Sequence, residues 1–125
     1  MKRILICLIV SLSAALSASL GAEIVLAGVA SMEGNTPVIA KESRYTLEFQ
    51  GWRPDQPVTV VLERACVFSG FIDRTVERMK LHPDSAGWLI LERKADDCRG
   101  SVIVRASQGG MFSGKLRAQH AFEVR

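Results

Sequence analysis

The sequence is poor in the side chains and motifs on which enzymatic chemistry depends. It contains two histidines, His82 and His120, and three cysteines in 125 residues. The zinc-protease pattern HExxH, the nucleophile elbow GxSxG, the P-loop, the CxxC pair and the glycine-rich dinucleotide pattern are all missing. His120 falls on the apolar face of a predicted strand, where a packed histidine is the favoured interpretation. These features predict a protein that is not an enzyme and that has no cofactor and no metal site.

Long apolar runs are missing as well, except near the N-terminus. Residues 4–16 are apolar, but this stretch is shorter than the ~20 apolar residues that a membrane span needs. A short positive start precedes it and small residues follow it at 17–22, which is the layout of a secretory signal peptide. We therefore expect a signal peptide at residues 1–21 and a single mature domain at 22–125. An uncleaved N-terminal anchor is the alternative, and it would be the only membrane contact.

An excess of charge of one sign is also lacking in the mature domain. The whole chain has 16 basic and 13 acidic residues, but Lys2 and Arg3 belong to the predicted signal peptide. The mature domain then keeps 14 basic and 13 acidic residues, a net charge of +1. A nucleic-acid partner is therefore not expected.

The cysteines suggest a covalent cross-link. Cys7 lies within the predicted signal peptide, so Cys66 and Cys98 remain as a pair. An even number of cysteines in an exported chain favours a disulfide. This bond would stabilise the fold by ~3–4 kcal/mol on the chain-entropy model. Two buried free thiols are the alternative.

Alternation of apolar and polar residues dominates the mature chain and predicts β-strands. Turn signals rich in glycine, proline, aspartate and serine recur about every dozen residues, as in a β-sandwich. Residues 71–81 (FIDRTVERMKL) fit a strand better than a short helix, but both remain open. The predicted strands cover residues 24–29, 45–50, 58–62, 88–91, 101–104 and 115–125.

The stretch GWRPDQPVTVVL, residues 51–62, forms a corner between two of these strands. Proline cannot donate a hydrogen bond to a sheet, so the two prolines separate the strand that ends at Gln50 from the strand that begins at Val58. This stretch resembles the Gly-aromatic-x-Pro corner of bacterial immunoglobulin-like domains. The later stretches PDSAGWLIL, CRGSVIVRAS and AFEV are similar to the Asp-x-x-Gly-aromatic turn and the last two strands of those domains. The resemblance covers residues 24–125.

This resemblance implies an all-β fold, an immunoglobulin-like antiparallel β-sandwich of about seven strands. It implies that strands 58–63 and 101–106 are antiparallel neighbours, which would bring Cys66 and Cys98 to the same end of the sandwich. The loops 51–57 and 107–114 would then meet at the opposite end.

The side chains of those two loops are the candidate partner-binding residues: Trp52, Arg53, Met111 and Phe112. Aromatic, methionine and arginine side chains are enriched in the parts of interfaces that carry most of the binding energy. The alternative is that Trp52, Met111 and Phe112 close the end of the core. If Phe112 binds a partner, its replacement by alanine should weaken binding with little loss of stability.

Members of the resembled family include adhesive and spacer modules of envelope proteins and carriers of small ligands. The expected function is therefore an exported, non-enzymatic binding or assembly module of the cell envelope, with an envelope protein or a glycan as partner. The alternative is a carrier of a small apolar ligand, held in a cleft between the two loops. The expected location is periplasmic or extracellular.

Overall fold

The computed structural model describes residues 21–28, 31–110 and 114–125. All secondary structure in these ranges is β, so the prediction of an all-β fold is confirmed. Residues 71–81 form a strand, not a helix, and none of the described residues belongs to a helix that could span a membrane. The predicted signal peptide lies outside the described residues except for its last residue, Gly21. The strands are β1 (Glu23–Ala27), β2 (Ser31–Glu33), β3 (Thr36–Ile39), β4 (Arg44–Gln50), β5 (Val58–Phe68), β6 (Phe71–Leu81), β7 (Leu89–Lys94), β8 (Gly100–Gln108) and β9 (Leu116–Val124).

The strands form two sheets. The small sheet has the order β1-β4-β7, and the large sheet has the order β2-β3-β9-β8-β5-β6. Neighbouring strands are antiparallel except β3 and β9, which are parallel. β5 and β8 are antiparallel neighbours, as expected, but both are longer than the sequence pattern indicated.

The core lies between the two sheets because each strand turns one face inward. On β5 the side chains of Val58, Val60 and Leu62 are completely buried. The rings of Tyr45 and Phe122, one from each sheet, meet edge to face with their centroids 5.1 Å apart. Burial of apolar area at this interface is the main favourable term in folding.

The stretch Gly34-Asn35-Thr36-Pro37 consists of residues that favour turns, but only part of it is a turn in the structure. Only Gly34 and Asn35 form the turn, and Thr36 and Pro37 begin β3. β3 pairs with β9 only through Val38 and Ile39, so the N–H that Pro37 lacks is not needed for that pairing. The short β2–β3 hairpin explains why the described strands outnumber the seven that were expected.

The proline corner is fixed by a contact with a distant turn. Trp52 is 3% exposed and belongs to the core, and its backbone N–H donates to the carbonyl oxygen of Gly87 at 3.3 Å. Gly87 has a φ of 80°, and a β-carbon on it would lie 2.2 Å from the carbonyl oxygen of Trp52. The Asp84 carboxylate shapes this turn by accepting from the N–H groups of Ala86 and Trp88 at 2.9 Å each. The two stretches GWRPDQP and PDSAGW therefore pack directly against each other.

Candidate functional site

Loop 51–57 meets the described residues of the segment 107–114, which are 107–110 and 114, at one end of the molecule, called here the loop end. The side-chain amide of Gln108, 3% exposed, accepts from the backbone N–H of Arg53 at 2.7 Å. The same amide donates to the carbonyl oxygens of Arg53 at 2.7 Å and Gln56 at 2.8 Å. The Arg53 guanidinium donates to the carbonyl oxygen of Gly114 at 3.0 Å. Arg53 therefore holds the two loops together.

The predicted binding residues at the loop end have different positions. Trp52 is buried, so it closes the core and offers almost no contact surface. Arg53 is half-buried, and Met111 and Phe112 lie outside the described residues. A partner-binding role for Arg53, Met111 and Phe112 stays a prediction.

A hollow of about 380 Å³ lies beside the loop end. Its lining includes Gln56, Thr59, Lys80, Gln108 and Lys115, which are polar or charged. Sites for small ligands are lined mainly by apolar side chains. Within the described residues, this hollow therefore does not favour an apolar ligand.

The opposite end, called here the disulfide end, carries the predicted cross-link. Cys66 lies in β5 and Cys98 lies just before β8, and they form a disulfide with their α-carbons 5.5 Å apart. A salt bridge of 3.2 Å joins Arg64 to Asp96 beside this bond. The two cysteine sulfurs and the Asp96 carboxylate lie within 4.8 Å of one another. Because the sulfurs are bonded to each other, only the carboxylate of this group is left as a metal ligand.

The β5–β6 hairpin continues past the disulfide. The pairing of β5 with β8 ends at Cys66 and Gly100, whereas its pairing with β6 continues to the turn at Ser69 and Gly70. This last part carries four exposed apolar side chains, which we call the hairpin tip. They are Val67 (44% exposed), Phe68 (43%), Phe71 (62%) and Ile72 (57%).

The four side chains lie on both faces of the hairpin. Phe68 is paired with Phe71, with ring centroids 5.8 Å apart, and Val67 is paired with Ile72. Since paired residues point to the same side of a sheet and successive residues alternate, the phenylalanines share one face and the aliphatic pair shares the other. The hairpin tip is thus apolar on both faces, which is typical of a contact surface.

The residues of the hairpin tip were not among the binding residues predicted from the sequence. The signal was nevertheless present, because two apolar pairs separated by Ser69-Gly70 are typical of a tight hairpin. Because both a strand and a helix were open for residues 71–81, the hairpin was not predicted from this pattern. Exposure of these side chains depends on where β8 ends, and the local sequence does not show that.

Charge is unevenly distributed over the two outer faces of the molecule. The outer face of the large sheet exposes the cations Arg74, Arg78, Lys80, Arg105 and Arg117. Arg105 forms a 3.0 Å salt bridge with Glu63 on the same face. The outer face of the small sheet mixes both signs, with Glu23, Glu48 and Glu92 beside Arg44 and Lys94. The domain is nearly neutral overall, yet the large sheet presents a basic surface.

His120 lies on the inner face of β9, where its ring is 6.3 Å from that of Phe122. Its Nε2 atom is buried and has no hydrogen-bond partner among the described residues. Burial lowers the pKa of His120, because the imidazolium form loses hydration. The packed neutral histidine that the sequence favoured therefore agrees with its surroundings.

This burial predicts a pH dependence of stability. In the unfolded chain the His120 side chain takes up a proton below pH ~6.5, whereas in the folded protein the same side chain stays neutral to a lower pH. The stability that comes from burying neutral His120 is complete above pH 6.5. It is lost as the pH falls toward the pKa of His120 in the folded protein. His120→Leu should reduce the loss of stability between pH 7.5 and 5, measured by urea unfolding at each pH. If the variant and the wild type lose the same free energy of unfolding between pH 7.5 and 5, His120 does not cause the loss.

Comparison with known structures supports the fold class. The fold is similar to the crystal structure of the soluble domain of PmoD from Methylocystis sp., with a TM-score of 0.50 and 15% identity. The similarity covers 83% of this chain and 90% of the PmoD domain, and at this identity it concerns the fold alone.

A second similar structure is the alkylpurine DNA glycosylase AlkC of Pseudomonas fluorescens bound to DNA containing an abasic site analog. It has 20% identity and a TM-score of 0.39, covering 89% of this chain and 33% of AlkC. No protein-family model matches the chain, and no curated protein does.

Proposed function

We propose that this protein is an exported, non-enzymatic binding or assembly module of the cell envelope, built on an immunoglobulin-like fold. The strand order supports this fold: β1, β4 and β7 correspond to strands A, B and E, and β9, β8, β5 and β6 to G, F, C and C′. The disulfide supports export, because such bonds persist in oxidising compartments. The N-terminal sequence pattern supports a signal peptide.

The hairpin tip is the observation that carries the binding function. Four large apolar side chains at the end of a regular hairpin lie outside the core. Leaving them in water forgoes the gain of ~1.5–3 kcal/mol that full burial of each would bring. An interface recovers this free energy, and aromatic side chains are prominent among residues that dominate binding. Because the tip offers apolar groups in place of hydrogen-bonding groups, its surface favours a protein recess over a glycan.

The test compares capture of envelope proteins by four forms of the full chain with a C-terminal tag: the wild type, a hairpin-tip variant, a matched control and Phe112→Ala. Phe71→Ser combined with Ile72→Ser should reduce the bound partner about tenfold or more, because two side chains at the centre of an interface are truncated. The melting temperature should stay near the wild-type value, since both residues are exposed. The readout is quantitative mass spectrometry of cross-linked envelope extracts.

The matched control is Val25→Ser combined with Ile90→Ser, which truncates two exposed apolar residues on the outer face of the small sheet. This variant should retain its partner. If the control and the tip variant retain the same proteins in equal amounts, the hairpin tip is not the binding surface. If Phe112→Ala loses the partner and the tip variant keeps it, the loop end is the surface instead.

A further inference from the structure

β6 is an edge strand of unusual length. It runs for eleven residues without proline and pairs with β5 on one side, and among the described residues the large sheet ends there. An edge strand presents a row of backbone N–H and C=O groups that another chain can pair with. Natural edges are usually short or interrupted, so an uninterrupted strand of this length is suited to strand addition.

The backbone groups of alternate residues on β6 point away from β5. Phe68 and Phe71 flank the two-residue turn, and the residues that flank such a turn exchange their N–H and C=O groups. Hydrogen bonding to β5 then recurs at every second residue from Phe71. The residues between these positions direct their backbone groups outward; they are Ile72, Arg74, Val76, Arg78 and Lys80.

The side chains of these outward-bonding residues define the chemistry of the edge. Ile72, Arg74, Val76, Arg78 and Lys80 all lie on the outer face of the sheet and are exposed. From Ile72 to Arg78 cations therefore alternate with aliphatic side chains at the positions where an added strand would pair, and Lys80 follows as a third cation.

The two acidic residues of β6 lie on its other face. They are Asp73 and Glu77, and Glu77 forms a 3.3 Å salt bridge with Arg93 of β7. The charge offered to an added strand on the outer face is positive.

A second copy of this chain does not suit the edge. Antiparallel pairing of β6 with itself, centred on Val76, places Arg74 opposite Arg78 twice. Pairing centred on Thr75 places Asp73 opposite Glu77 twice. Pairing centred on any one of these charged residues places that residue opposite the same residue of the second copy. Like charges directly opposite each other destabilise strand pairing. The sequence of β6 thus disfavours self-association and selects a partner strand of opposite charge.

We propose that β6 binds an extended acidic segment of a partner protein, which adds as a further antiparallel strand to the large sheet. Acidic side chains of that segment lie opposite Arg74 and Arg78, and an apolar side chain lies opposite Val76. The backbone hydrogen bonds supply affinity, and the charges set the specificity and the rate of association. This proposal deepens the proposed binding function and rests on it.

The test uses a defined probe and the full chain. The probe is a nine-residue peptide in which valine and glutamate alternate on one face and threonine occupies the other. A matched peptide carries lysine in place of glutamate. At low salt the acidic peptide should bind about tenfold or more tightly than the basic one, measured by fluorescence anisotropy. Its binding should slow hydrogen exchange at the backbone amides of Arg74, Val76 and Arg78.

A charge-reversal variant supplies the decisive comparison. Arg74→Glu combined with Arg78→Glu should reverse the preference, so that the basic peptide binds more tightly. The control, Arg44→Glu combined with Lys94→Glu, makes the same charge change on the outer face of the small sheet and should keep the acidic preference. Equal binding of the two peptides to the wild type, or binding without protection of the β6 amides, would overturn the proposal.

The two proposals can fail separately. If the hairpin-tip variant loses its envelope partner but the charge-reversal variant keeps it, the binding function stands and strand addition at β6 is wrong. If the peptides behave as expected but the tip variant still retains its partner, β6 is a binding edge and the hairpin tip is not the contact.

Discussion

Replacing Cys66 and Cys98 together with alanine should lower the free energy of unfolding by about 3–4 kcal/mol. The disulfide closes a loop with a sequence separation of 32 residues, and without it the unfolded chain gains conformational entropy. For a domain of this size the melting temperature should fall by roughly 10–20 °C. Thermal unfolding followed by circular dichroism measures this loss.

Reduction of the wild-type protein provides the matched control. A reducing agent should bring the wild-type melting temperature down to that of the double alanine variant and leave the variant itself unchanged. Peptide mass mapping of unreduced protein should recover Cys66 and Cys98 in one cross-linked species. Free thiols at both positions, or a wild-type protein indifferent to reduction, would contradict the predicted stabilisation.

Gly87→Ala should destabilise the fold by about 2–4 kcal/mol, a large effect for the addition of one methyl group. Two causes act at the same position. The φ of 80° is strained for any residue with a β-carbon, and the added carbon would lie 2.2 Å from the carbonyl oxygen of Trp52. Relief of this clash must move the backbone of the proline corner and with it the buried Trp52 side chain. Urea unfolding measures the change.

Gly34→Ala separates strain from clash. Gly34 has a φ of 60°, but a β-carbon there would meet no atom within 4 Å. Its replacement should therefore cost only about 1 kcal/mol, the conformational penalty alone. Equal losses from both substitutions would show that the contact between Gly87 and Trp52 does not limit stability.

Several parts of the fold follow from local sequence pattern. Alternation predicted β4 and β9 closely, because each strand buries one face and exposes the other, as between Tyr45 and Phe49. The two cysteines predicted the disulfide, and the resemblance to immunoglobulin-like domains predicted that β5 and β8 are neighbours. Strand ends were less predictable, since β5 continues to Phe68 through charged residues that do not alternate regularly.

The exposure of individual side chains followed less directly from the sequence. Trp52 lies in a loop among polar residues and prolines, so both a binding role and closure of the core were open for it. In the structure its side chain belongs to the core and its backbone N–H is bonded to the turn at Gly87. Phe71 and Ile72 occupy a regular strand, which suggests burial, yet no third strand of the described chain pairs beside them at the hairpin tip. Exposure is a property of neighbours distant in sequence, so periodicity alone does not determine it.

The sequence by itself determined that the chain forms β-strands with one apolar face, that a proline corner separates β4 from β5, and that two cysteines are available for a cross-link. These properties depend on side-chain period, backbone φ and residue count, which are local. Only the tertiary structure decided which apolar residues are left outside the core and which strand ends the sheet. Those outcomes depend on where β8 stops beside Cys66 and on the lack of a further strand beside β6 in the described chain, because burial and edge exposure arise only when separate strands are placed side by side.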